Sequence, residues 1–123
     1  MSAQKKILVV DDSSTSTFLM ESYFEENGYE VYVAEDGDKA IKRLNKVLPD
    51  VVFLDLMMPK KSGFEVLEEI KKNEKTKNVP VVIISAKTER EDIQKAKEMG
   101  VIEYLYKPID IEYARALLHK LRI

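Results

Sequence analysis

Three aspartates, a serine and a lysine each stand at the end of an apolar run. Asp11 and Asp12 follow ILVV (7–10), Asp55 follows VVFL (51–54), Ser85 follows PVVII (80–84), and Lys107 follows IEYLY (102–106) and precedes Pro108. Three carboxylates gathered within a few ångströms repel one another, and a cation makes all three ionised forms comfortable. With only oxygen donors and no His or Cys beside them, the set selects a hard ion. Mg²⁺ fits better than Ca²⁺, because it takes one or two carboxylates and leaves room for water and phosphate oxygens. A carboxylate is also a competent nucleophile for an acyl phosphate. The negative oxygens of a phosphoryl group in transfer then call for an ammonium and a hydroxyl, which Lys107 and Ser85 supply. An Asp pair after a strand also serves simply as a helix cap; Asp55 at the end of a second run is what turns the balance toward a cation and phosphoryl site.

For these residues to meet, the runs must be strands of one sheet. Short apolar runs bounded by turn residues read as buried parallel strands, and in open α/β sheets the ligand crevice lies beyond their carboxyl ends. Helical patterns alternate with them. SSTST (13–17) offers caps for a helix carrying Phe18, Met20, Tyr23 and Phe24 to a stop at Asn27-Gly28. EVYVA (30–34) is the second strand, and Asp36-Gly37 turns into a helix with Ala40, Ile41, Leu44 and Val47, closed by Pro49. Phe64, Leu67 and Ile70 share one face of a third helix, which follows the Pro- and Gly-containing loop from Met57 to Gly63. Thr88-Glu89-Arg90-Glu91 has capping-box spacing and predicts the start of a fourth helix that ends at Gly100. Asp110 caps a last helix with Ile111, Ala114, Leu117, Leu118 and Leu121 on its apolar face. Five strand–helix units predict an α/β, doubly wound, five-stranded parallel sheet of order 2-1-3-4-5. That order sets the first and third strands side by side, which brings Asp11, Asp12 and Asp55 together.

Composition narrows the class. The chain has 123 residues, 45% of them hydrophobic, enough for the core of one domain. Its formal charge is −2, from 20 basic and 22 acidic residues, which favours neither a nucleic-acid surface nor an anionic membrane. The Lys-rich stretch 71–77 is broken by Asn73 and Glu74 and reads as a solvated helix end. Cysteine is absent, which excludes disulfides and thiolate metal sites. No segment approaches membrane-spanning length, so membrane insertion is not expected and a cytoplasmic address is. His119 lies in the last helix and has no assigned chemistry; Tyr23, Tyr29, Tyr32 and Tyr113 are expected to pack at the core and its boundary.

The motifs VVDDS (9–13), FLDLMMPKKSGFEVL (53–67), VVIISAK (81–87) and YLYKPI (104–109) resemble, in order and spacing, the receiver domain of two-component response regulators, over essentially the whole chain. The resemblance implies the flavodoxin-like (βα)5 receiver fold, one domain over residues 1–123 and no output domain. It implies that Asp55 is the phosphoacceptor, that Asp12 binds Mg²⁺ directly and Asp11 largely through water, and that the backbone carbonyl of Met57 is a further ligand. Ser85 and Lys107 would hold the phosphoryl oxygens, the Lys107–Pro108 peptide would be cis, and Tyr104 would be the aromatic switch partner of Ser85. The implied phosphodonor is a sensor histidine kinase or a histidine phosphotransfer protein. The implied output is a downstream protein at the face of the fourth helix, fifth strand and fifth helix, in a stand-alone chemotaxis-type or phosphorelay-type role. As an enzyme such a domain catalyses only its own phosphorylation and dephosphorylation. Met57 and Lys87, expected to flank the phosphoryl group, are poor positioners of an attacking water, so the expected phosphoprotein is long-lived. The rival reading is a flavodoxin-like module binding a flavin phosphate, which Asp11 and Asp12 at the entry to the crevice disfavour by repulsion.

Overall fold

The computed structural model describes residues 4–123. Five strands, β1 (Lys6–Val10), β2 (Glu30–Ala34), β3 (Val51–Asp55), β4 (Val81–Ser85) and β5 (Glu103–Tyr106), alternate with five helices, α1 (Ser14–Glu26), α2 (Gly37–Val47), α3 (Gly63–Lys72), α4 (Arg90–Glu98) and α5 (Ile111–Lys120). The sheet order is β2-β1-β3-β4-β5, and every neighbouring pair is parallel. This is the expected doubly wound topology, with the chain reversing direction across the sheet between β1 and β3.

Side chains alternate across a strand, and here both faces are covered. Leu8, Val10, Val52, Leu54, Val81 and Ile83 pack with Ala40 and Leu44 of α2, Val66, Leu67 and Ile70 of α3 and Ala96 of α4. Ile7, Val9, Val51, Phe53, Val82 and Ile84 pack on the other face with Met20 and Phe24 of α1 and Ala114, Leu117 and Leu118 of α5. Phe24 stacks on Phe53 with ring centroids 5.7 Å apart, both fully buried. Burial on two faces explains why β1, β3 and β4 read as unbroken apolar runs.

Local chemistry sets the helix starts. Ser13 and Asp110 accept from the backbone N–H three residues on, as expected at α1 and α5, and Asp36 does the same at the turn that opens α2. Ser62 and Glu65 form a full capping box at α3, which the sequence reading did not single out. The box expected at Thr88 does not form: α4 starts at Arg90 after Glu89, without a side-chain cap bond. The reason is tertiary. Ser85 Oγ accepts from Lys87 N at 3.1 Å and the Tyr104 hydroxyl donates to Lys87 O at 3.0 Å, which holds the chain before Thr88 in a loop. Tyr29 is buried as expected, but Tyr113 stands 47% exposed on α5. No described helix is long and apolar enough to cross a membrane.

Candidate functional site

The carboxyl ends of β1, β3, β4 and β5 bring the expected residues to one edge. Val10 pairs with Leu54, so Asp11 and Asp55 follow on adjacent strands in register. One carboxylate oxygen from each of Asp11, Asp12 and Asp55 lies within 4.8 Å of the others, with Asp11 and Asp55 buried and Asp12 exposed. Lys107, in the segment after β5, reaches back into the cluster. Its Nζ lies 2.8 Å from Asp11 Oδ2 and 3.1 Å from Asp55 Oδ2, while its backbone N–H donates to Ser85 O at 2.9 Å. The Lys107–Pro108 peptide is cis, as expected.

The two buried carboxylates are aimed by the backbone. Asp11 Oδ1 accepts from Ser13 N at 2.9 Å, and Asp55 Oδ1 from Met57 N at 3.0 Å. Burial pushes the Asp55 carboxyl up to about 6; the Met57 N–H opposes this, Asp11 repulsion adds to it and Lys107 subtracts. For Lys107, burial pulls the ammonium down, but the close contact with Asp11 and the charges of Asp55 and Asp11 outweigh it and raise the pKa above the ordinary lysine value. The pocket thus keeps its lysine charged while leaving its central carboxylate poorly compensated.

The donor set suits a hard divalent ion. Asp11 Oδ2 is fully buried and has no aligned hydrogen bond, although Lys107 is in ionic contact with it. A deeply placed carboxylate oxygen with spare coordination, beside an exposed Asp12 and the poorly compensated Asp55, is what an oxygen-seeking cation requires. The described residues therefore fit Mg²⁺.

Ser85 is fully buried at the end of β4, and Tyr104 is 8% exposed on β5. The two meet through Lys87: its N–H bonds to Ser85 Oγ, its carbonyl accepts the Tyr104 hydroxyl, and its ammonium lies 3.3 Å from Asp92 of α4. Lys87 therefore faces α4, whereas Met57 stands 49% exposed at the rim. Gly63 was not singled out from the sequence as a site residue, yet a Cβ there would lie 2.4 Å from Asp55 O and 2.5 Å from Leu56 Cα. Only glycine lets α3 start directly against the end of β3. The signal for it in the sequence is a glycine directly after a helix-capping serine, shortly downstream of a strand-end aspartate.

This fold, with an acidic cluster and a half-buried lysine at its switch point, defines a phosphoryl-handling signalling module. The profile of the response regulator receiver domain matches residues 7–119, and the chain belongs to that family. It is 35% identical over 107 residues to protein PilH of Pseudomonas aeruginosa, covering 87% of this chain and 88% of that protein. It is 36% identical over 104 residues to the phosphate regulon transcriptional regulatory protein PhoB of Escherichia coli, covering 85% of this chain but only 45% of that protein. The solved structure of Vibrio cholerae chemotaxis protein CheY4 superposes with a TM-score of 0.89 at 30% identity, covering 96% of this chain and 98% of that one. The chain is a response regulator receiver domain, and the comparisons lend nothing to a flavin-binding module.

Proposed function

We propose that this receiver accepts a phosphoryl group on Asp55 from a histidine kinase or a histidine phosphotransfer protein. The observation that carries the proposal is the Lys107 ammonium, 2.8 Å from Asp11 and 3.1 Å from Asp55 in a pocket closed by backbone donors. In the transfer an Asp55 oxygen forms the new bond to phosphorus as the phosphorus–nitrogen bond of a phosphohistidine breaks, its electron pair leaving on the imidazole nitrogen. Lys107 moves its charge from the Asp55 carboxylate to the phosphoryl oxygens, and the Ser85 hydroxyl, free to rotate, donates to another. Asp11, Asp12, Asp55 and the Met57 carbonyl would hold Mg²⁺, which when bound supplies further neutralisation of the phosphoryl charge.

The donor has to present its phosphohistidine at the open mouth. A groove of about 390 Å³ lined by Ser16, Leu19, Met20, Lys107, Pro108 and Ile109 borders that mouth, and Leu19 stands exposed on α1. Because Lys107 lines both groove and site, a donor seated there is already at the reacting atoms. The test is to treat the protein with a small phosphoryl donor and Mg²⁺, then map the acid-labile adduct. Modification of Asp55 is expected, decaying slowly after donor removal, since Met57, exposed at the rim two residues on, cannot accept a proton from an attacking water. Modification of Asp11 or Asp12 would overturn the assignment.

Output follows from Ser85 and Tyr104. A phosphoryl group acts on a distant partner only by favouring one of two conformations. Ser85 turning toward that group gives up its bond to Lys87 N, and with it the loop that holds the Tyr104 hydroxyl and, through Asp92, α4. The downstream protein then reads the α4, β5 and α5 face. NMR shifts are expected to move across residues 86–118 on phosphorylation. A response confined to the loops around Asp12 and Asp55 would remove the long-range switch.

A further inference from the structure

The loop between β3 and α3 carries Met57, and a lysine grips its far end. Lys61 is only 23% exposed, low for a loop lysine. Its stem lies across Gly37 at the start of α2, where an added Cβ would sit 2.7 Å from Lys61 Cβ and 2.8 Å from its Cγ and Cδ. Its ammonium pairs with Glu69 of α3 and lies 3.6 Å from Asp38 of α2. The preceding Lys60 takes a left-handed backbone conformation, φ 66°, which an unrestrained lysine seldom adopts. Its charge also helps hold the Asp36 carboxyl below the ordinary range, after the Lys39 N–H and the charge of Lys39. Two lysines at the loop tip thus face the acidic turn that opens α2.

Both ends of the loop are also pinned at the end of β3. Met57 N donates to Asp55 Oδ1 at 3.0 Å, and Gly63 N donates to Leu56 O at 3.1 Å. Between these pins Met58 packs against the core that α2 and α3 share, and the Lys61 stem and ammonium add a charged hold on those two helices. From this geometry we propose that Lys61 is a positioning residue. By clasping Gly37, Asp38 and Glu69 it fixes the β3–α3 loop so that the backbone of Met57 faces Asp55 and the cation. This rests on the Mg²⁺ site proposed above. Such outer partners orient groups that touch a metal without touching it themselves.

Lys61→Met keeps the stem over Gly37 and removes the ammonium, whereas Lys61→Arg keeps both. In chelator, hydrogen exchange of the Met57 and Gly63 amides is expected to quicken by about tenfold in Lys61→Met, with the exchange of β1 and β3 unchanged. The Mg²⁺ dissociation constant, measured with the metal alone, should rise about tenfold, and Lys61→Arg should restore both values. Glu69→Gln, on the solvent side of α3, should quicken the same two amides in a protein of unaltered denaturation midpoint. Unchanged exchange at Met57 and Gly63 in Lys61→Met and Glu69→Gln overturns the clasp. So does faster exchange spread over the whole sheet, which would mark a merely structural lysine. Asp12→Ala separates this failure from failure of the metal reading. If it binds Mg²⁺ as tightly as the unaltered protein, the metal assignment falls while the exchange data still judge Lys61.

Discussion

Asp55→Asn is expected to abolish Mg²⁺-dependent phosphorylation and, in metal-free buffer above pH 7, to make the protein more stable than the unaltered chain. An amide cannot form the acyl phosphate. The stability gain follows from linkage. The Asp55 carboxyl is pushed up to about 6 in the folded protein, mainly by burial, whereas in an unfolded chain it titrates near 4. Between these values the folded state binds the proton more tightly, so stability falls as pH rises through that window. Above it the ionised form costs the fold about 2–3 kcal/mol. Asparagine accepts the Met57 N–H without a charge and escapes that penalty. Denaturation in chelator at pH 7.5 should therefore favour Asp55→Asn by about 2 kcal/mol, with the gap closing toward pH 4. Added Mg²⁺ should stabilise the unaltered protein more than the variant, by mass action on the folded state. An Asp55→Asn protein no more stable than the parent at pH 7.5 would show that Lys107 already neutralises the pocket.

The fold was legible because its signals are short-range and mutually consistent. β1, β3 and β4 are buried on both faces, so their sequences are continuous apolar runs that need no partner to be recognised. The caps at Ser13, Asp36 and Asp110 are likewise local chemistry. Thr88 failed for the opposite reason: its spacing is that of a cap, but the Tyr104 hydroxyl, on another strand, holds the preceding carbonyl in a loop. The acidic cluster was legible through topology, since one strand order places Asp11 and Asp55 in register. The direction of side chains was not. Lys87 was expected to flank the phosphoryl group and instead extends to Asp92. Gly63 and Lys61 escaped because their parts are defined by what lies opposite, the end of β3 and Gly37, and no pattern along the chain encodes that proximity.

Lys107→Met should be the most damaging single change at the site, and its size should depend on pH. Asp11 is fully buried and Asp55 is 3% exposed, and the Lys107 ammonium is in contact with both. Taking one partner from a buried ion pair leaves uncompensated charge, at a cost of about 3–5 kcal/mol. Methionine matches the stem but donates nothing, so the loss reports the charge and not the packing. With the lysine gone, the repulsion from Asp11 is unopposed and Asp55 holds its proton to higher pH still. The destabilisation should be large at pH 8 and shrink on acidification as Asp55 becomes neutral. In the Asp55→Asn background only Asp11 remains for Lys107 to satisfy. The same substitution should then cost less, and the difference between the two costs measures the coupling of Lys107 to Asp55. Mg²⁺ should recover part of the loss and raise the denaturation midpoint of Lys107→Met more than that of the parent, because the ion becomes the only positive charge facing both carboxylates. Equal costs of Lys107→Met in the two backgrounds would mean that Lys107 serves Asp11 alone, and its part in holding phosphoryl oxygens on Asp55 would lose its structural basis.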